Sequence, residues 1–181
     1  MPEPIENYIP QNLAEHFRRQ AYRVWLVGAV IVTGWVLLIV LPTIVPTTFA
    51  GPLYNFFSYI CHQQSERSFH LLGHQFGVCS RCFGVYFGLL LGFAIYPLWR
   101  DLTEVEPPPR FWLFLSLIPI SIDWSLGVFG IWENNHFSRF ITGMILGVAC
   151  GTYIVPAIID IARNVSRRSF REEHRRLRRP G

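Results

Sequence analysis

The chain has 181 residues, of which 51% are hydrophobic, 15% aromatic and only 15% charged, against roughly 25% charged in soluble domains. All sixteen basic residues are arginine, and most of the charge lies toward the two ends. A disordered chain, a disulfide-dense secreted miniprotein and an ordinary soluble domain are thereby excluded, which leaves a small multi-pass membrane protein.

Residues 1–23 read as a cytoplasmic and interfacial segment, with 12–23 an amphipathic helix lying at the membrane surface. This stretch is too polar and acidic for a secretory leader, so the apolar run that follows reads as an anchor that stays. That run, 24–41, holds 18 residues without a charge and is closed by Pro42 and Pro46, long enough to cross a bilayer. An outer loop, 42–81, is part helical over 53–60. A second span covers 82–98, and a third, 111–129, carries Pro119 and Asp123. The fourth, 140–162, carries Pro156 and Asp160. Between the second and third lies a short polar loop stiffened by Pro107, Pro108 and Pro109. Residues 163–181 form a basic tail suited to anionic lipid head groups. The tail has no aromatic platform, so no nucleic-acid partner is expected.

The expected fold is thus all-α, a four-helix transmembrane bundle over 24–162. Arginines set its orientation, because cytoplasmic loops retain them. With the N-terminus inside, thirteen arginines are cytoplasmic and only Arg67, Arg81 and Arg139 lie outside. Both termini are therefore expected in the cytoplasm, with the chain in the cell (inner) membrane. The second span carries Gly84, Gly88 and Gly92, and the fourth Gly143, Gly147 and Gly151. Both are tandem GxxxG ladders of the kind that lets helices approach closely in lipid. Related helical hairpins, a homo-oligomer and docking onto a larger membrane complex are the readings these ladders allow.

The outer loop concentrates the chemistry. Three of the four cysteines and three of the six histidines fall within residues 61–82. Cys79 and Cys82 are spaced CxxC at a turn entering a helix, where i and i+3 share a face and the first-turn amides favour anionic sulfur. Cys61 and His62 complete a Cys3His shell, with His70 or His74 as alternates for the imidazole. Thiolates with an imidazole favour zinc, while copper(I) or iron is the weaker fit. The competing reading is redox: an outer CxxC on a four-helix membrane protein suits quinone-coupled thiol–disulfide exchange, with Arg81 stabilising a thiolate. A plain disulfide from Cys61 to Cys79 or Cys82 is the remaining alternative.

Asp123 lies about 18 Å along the third span at 1.5 Å per residue, and an intramembrane carboxylate needs a partner or a cavity. Arg139 is the first expected partner and Arg81 the alternative. Together with Glu66, Arg67, Asn134 and Asn135 they outline a polar pocket beneath the cysteine loop, suited to an anionic head group or a quinone-like ligand. Asp160 is expected to pair with Arg163 or face the cytoplasm.

The run Cys61-His62-Gln63, then Glu66-Arg67-Ser68-Phe69, then residues 78–88 from Val78-Cys79-Ser80-Arg81-Cys82 onward, resembles a family of small prokaryotic multi-pass membrane proteins known as domain of unknown function 2085. Asp123 and the Arg139…Thr142-Gly143 segment resemble its second block. The resemblance spans about 54–147; it implies the topology and the grouping of these residues, and carries no activity. Ser65 and Trp124 stand where family members commonly have a proline and a small residue. The expectation is a zinc-binding membrane protein, structural or ligand-binding. A thiol–disulfide oxidoreductase using Cys79 and Cys82, or an accessory subunit without catalysis, are the alternatives.

Overall fold

The structure, a computed structural model, describes residues 11–132 and 134–177. Glu133, the first ten residues and the last four, with Arg178 and Arg179, lie outside it, as do the side chains of 11–14 and 168–177. The chain is mostly helical, and four of its helices are long and apolar enough to cross a membrane.

Helix α1 (Gln11–Val40) runs unbroken through both the expected interfacial helix and the first span. Its 30 residues extend about 45 Å. Pro42 has no N–H to continue the ladder, so α1 tightens into a 3-10 turn over Leu41–Thr43. Helix α2 (Thr47–Ser58) begins earlier than residue 53, directly after Pro46. A small hairpin follows, β1 (His70–Leu71) paired antiparallel with β2 (His74–Gln75). Its turn uses Leu72 and Gly73, both at positive φ, as tight two-residue hairpins require. Helices α3 (Ser80–Trp99), α4 (Phe111–Val128) and α5 (His136–Leu177) complete the fold. The backbone of α5 stays helical far into the basic tail.

Apolar residues such as Val30, Ile31 and Phe114 are 63–65% exposed on α1 and α4. An outer face this apolar is tolerable in lipid and not in water. Inside, α3 and α5 run parallel, ladder against ladder. A Cβ at Gly84 would strike the Phe140 carbonyl, at Gly88 the Met144 carbonyl, and at Gly143 and Gly147 the Arg81 and Val85 carbonyls. Gly151 brings the backbones together again near Gly92 Cα. The two ladders are consumed by each other, which leaves neither face open as the expected docking or homo-oligomer surface.

Helix α1 packs antiparallel to α3, with the Trp25 indole N–H donating to the Phe93 carbonyl at 2.9 Å. Buried residues collect at two levels. At one end are Ala21, Phe93, Tyr96, Val155 and Ile159; at the other are Ile39, Phe57, Cys61 and Val78. The second cluster is the floor of the cysteine loop. At the far end, Asp160 accepts from Asn164 at 3.1 Å, while Arg163 donates to the Thr103 carbonyl at 3.0 Å. Of the two expectations for Asp160, the pair with Arg163 is thus replaced by these two contacts.

Candidate metal centre

Two chain segments meet at the cysteines. The first leaves α2, where the Cys61 N–H bonds the Phe57 carbonyl at 2.9 Å, and turns sharply at Gln63. Gln63 sits at φ 46°, a conformation costly for a side-chain-bearing residue unless its surroundings hold it. Its amide supplies that hold, donating to the Tyr54 carbonyl at 2.9 Å and the Gly77 carbonyl at 2.7 Å. Its own carbonyl accepts from Gln75 at 2.8 Å. Gln63 therefore ties α2, the hairpin and the approach to α3 together.

The second segment enters α3. Gly77 N–H donates to the Ile39 carbonyl at 2.8 Å, which fixes the approach to the end of α1. A Cβ at Gly77 would collide with the Phe57 ring. Buried Ser80 donates to the Arg67 carbonyl at 2.8 Å, and buried Ser68 to the Gln64 carbonyl at 2.9 Å. Cys79 occupies the N-cap position of α3, yet its thiol makes no capping bond. It turns instead to the other sulfurs.

The Sγ atoms of Cys61, Cys79 and Cys82 lie within 4.8 Å of one another. Tetrahedral zinc thiolates, at Zn–S near 2.3 Å, place their sulfurs about 3.8 Å apart, so this trio could hold a metal ion after a small inward adjustment. Cys61 is buried and the other two half-buried. Hydrogen bonds from the Cys79 and Cys82 thiols, reinforced by the Cys79 backbone N–H at 3.2 Å, hold the Cys61 thiol well below its ordinary range. Trp35, Phe76, Phe83 and Tyr86 pack on this apolar floor, with Trp35 edge-on to Phe57 and to Tyr86 at 5.8 Å.

Among the described residues, no histidine joins the three sulfurs. His62 is exposed and lines the adjoining cleft. His70 bonds the Ser65 hydroxyl at 3.1 Å, and exposed His74 belongs to β2.

The cleft measures about 670 Å³ and is bounded by the three cysteines, Arg67, Arg81, Arg139, Asn134 and Trp124. Asp123, only 8% exposed, takes Arg81 as its ion-pair partner, in place of the expected Arg139. Its other carboxylate oxygen accepts from Ser138 at 3.0 Å, and its backbone carbonyl accepts from Asn134. One buried residue thereby joins α3, α4 and the start of α5. Of the expected pocket residues, Arg67, Arg81, Asn134 and Arg139 line the cleft and Asp123 anchors Arg81. Glu66 and Asn135 are not in its lining. Asn135 instead caps α5, accepting the Ser138 N–H at 2.7 Å, the bond an N-cap asparagine makes.

The clamp residues Gln63, Ser68, Ser80 and Gly77 were missed as site residues by reading the sequence. Their spacing to the cysteines was visible, but their role depends on carbonyls distant in the chain.

A family described as predicted membrane protein (DUF2085) matches residues 61–153, more than half the chain. An uncharacterised protein of Methanocaldococcus jannaschii is 40% identical over 109 residues, covering 60% of this chain and 70% of that relative. An uncharacterised protein of Methanothermobacter thermautotrophicus is 40% identical over 94 residues, covering 51% of this chain and 81% of that relative. No solved structure matches the chain. The matched region starts at Cys61 and contains all three clustered cysteines, Asp123 and Arg139.

Proposed function

The chain belongs to the DUF2085 family of predicted membrane proteins, and on that premise we propose that it is a membrane-anchored thiolate metal protein. Cys61, Cys79 and Cys82 are its ligands and zinc is the metal. The observation that carries the reading is the convergence of three sulfurs from two separate segments. A disulfide needs two cysteines, and a third brought to the same point by dedicated hydrogen bonds suits a metal better. Cysteine-only ligation favours zinc or copper(I) over harder ions. Copper(I) is the weaker fit because the neighbouring arginine-lined cleft suits a harder ligand beside the metal.

The centre faces the extracytoplasmic side of the cell membrane and both termini are cytoplasmic. The thirteen-to-three division of arginines supports that orientation. A membrane-impermeant maleimide tests it on intact cells treated with chelator. Labelling at the Cys61–Cys82 cluster is expected, and labelling only after the membrane is opened would reverse the topology.

The metal reading is tested by elemental analysis of detergent-purified protein beside Cys79→Ser and Cys61→Ser. About one zinc per chain, lost in both variants, is the expected result. Metal-free protein carrying a reducible Cys61 disulfide would overturn it. That outcome would favour the second reading, thiol–disulfide exchange with a quinone as oxidant, for which the hydrogen-bonded Cys61 thiol is a suitable nucleophile.

A further inference from the structure

We infer that the metal's fourth ligand comes from outside the chain, and that it is a phosphate-class oxyanion held by Arg67 and Arg139. This inference rests on the metal reading above and extends it to a ligand.

Zinc in structural sites is closed by four protein ligands, whereas three protein ligands leave a position for water or substrate. Three sulfurs converge here, and among the described residues no histidine or carboxylate joins them. The same three cysteines form part of the wall of the cleft, so the open position has space in front of it.

Arg67, Arg81 and Arg139 line that one cleft. Asp123 is committed to Arg81 and Ser138. Among the described residues, no carboxylate lies within ion-pair distance of Arg67 or Arg139. A divalent metal with three thiolates carries a net charge of about −1, and Asp123 adds another; against three guanidinium groups an excess positive charge remains. Arg67 is exposed and solvated while Arg81 and Arg139 are half-buried, so the excess attracts an anion into the cleft, and guanidinium forks match phosphate oxygens.

Arg81 Nε and Asn134 Oδ1 are both buried without a partner. The Asn134 amide orientation is fixed, because its nitrogen donates to the Asp123 carbonyl. Its oxygen is therefore an acceptor without a donor, beside Gly127 and on a residue that lines the cleft. A ligand with several acceptor oxygens and one hydroxyl, such as hydrogen phosphate or a phosphomonoester head group, matches both kinds of group once a side-chain adjustment opens these two buried atoms to the cleft that their residues line. A carboxylate satisfies only the donors.

The test uses full-length protein loaded with cobalt(II), whose thiolate charge-transfer band reports the cysteines and whose d–d bands report the fourth ligand. Inorganic phosphate is titrated in detergent, and nanodiscs with and without phosphatidic acid form a second arm. The expected result is a d–d shift with one cobalt retained per chain. Arg139→Gln and Arg67→Gln should each weaken the response at least tenfold at unchanged cobalt stoichiometry. Arg139→Lys, which keeps the charge, should recover part of it. A shift with phosphate identifies a free oxyanion, and one with phosphatidic acid nanodiscs alone identifies a lipid head group. Full cobalt loading with no shift in either arm overturns the inference and leaves the metal centre standing, as does equal binding by both glutamine variants. Failure to bind cobalt overturns the metal reading together with the fourth-ligand assignment. Calorimetric phosphate titration of that metal-free protein then decides the cleft by itself: arginine-dependent binding supports it, and no heat refutes it.

Discussion

Replacing Gly143 by alanine tests how the helix pair supports the cysteine site. A Cβ at this position would strike the Arg81 carbonyl and stand 3.2 Å from Val85 N and 3.3 Å from Arg81 C. All three are backbone atoms of the first turns of α3, so no rotamer change relieves the contact. Retreat is also resisted, because Ser80 is bonded to the Arg67 carbonyl and the Cys79 N–H to the Cys61 sulfur. The helices must therefore part by several tenths of an ångström. Overpacking of this kind costs about 1–3 kcal/mol, against which alanine gains about 1 kcal/mol over glycine in a helix.

Gly34→Ala in α1 isolates the clash, since nothing lies within 4 Å of a Cβ there. It gains the same propensity with no contact to oppose it, so the two variants should differ by about 1–3 kcal/mol. Thermal unfolding in detergent measures the difference, with Gly34→Ala at or above wild type and Gly143→Ala several degrees below Gly34→Ala. Because Arg81 lies between Cys79 and Cys82, cobalt affinity should also fall in Gly143→Ala, by about 10- to 100-fold, as when groups supporting metal ligands are lost. Equal stability of the two variants would refute the parallel ladder packing. A destabilised Gly143→Ala with unchanged cobalt affinity would refute its link to the site.

Gln63→Ala removes two hydrogen bonds that hold a strained turn; a cobalt titration should show affinity down about tenfold or more, and unchanged affinity would show that the turn holds without its amide. Asp123→Asn leaves Arg81 without its counter-charge; chemical unfolding should register a loss toward the lower end of about 3–5 kcal/mol, because the Arg81 side chain is 24% exposed. The exposed Arg19–Glu15 pair provides the contrast, and Glu15→Gln should cost under about 1 kcal/mol. In metal-free protein, the lowered Cys61 thiol predicts one thiolate, read at 240 nm, persisting at pH 6 and absent from Cys61→Ser. The sign follows from a depressed folded value: the stabilisation is complete above the unfolded thiol range near pH 8.5 and drains as pH falls. Stability that rose on acidification from about pH 8 to about pH 6 would contradict it.

The four apolar helices were readable because a membrane span is a matter of length and missing charge, both properties of one segment. The glycine ladders were readable as contact faces for the same reason. Their pairing was not, since a GxxxG face states how closely a partner comes and not which helix that partner is. The same limit explains Asp123. Arg81 and Arg139 each open a ladder helix, and in the linear sequence the nearer arginine was the obvious partner. Once Gly143 is seated on the Arg81 backbone, Arg81 is the residue brought to the Asp123 carboxylate, and Arg139 is left on the cleft wall.

The cysteines and histidines differ in the same way. Cys79 and Cys82 share a helix face by local geometry, and Cys61 reaches them because the Cys79 N–H and the Gln63 clamp draw its segment in. His62 follows Cys61 directly, and adjacency made it the natural fourth ligand. Adjacent residues on a turning backbone, however, rarely aim their side chains at one point. Gln63 at φ 46° turns the chain immediately after His62, and the imidazole remains exposed on the cleft outside the sulfur group. The turn that completes the cysteine trio is therefore also what separates it from the histidine. A metal held by the three sulfurs alone would have one coordination position open beside two arginines that lack a carboxylate partner among the described residues, an arrangement suited to binding a ligand rather than closing a structural knot.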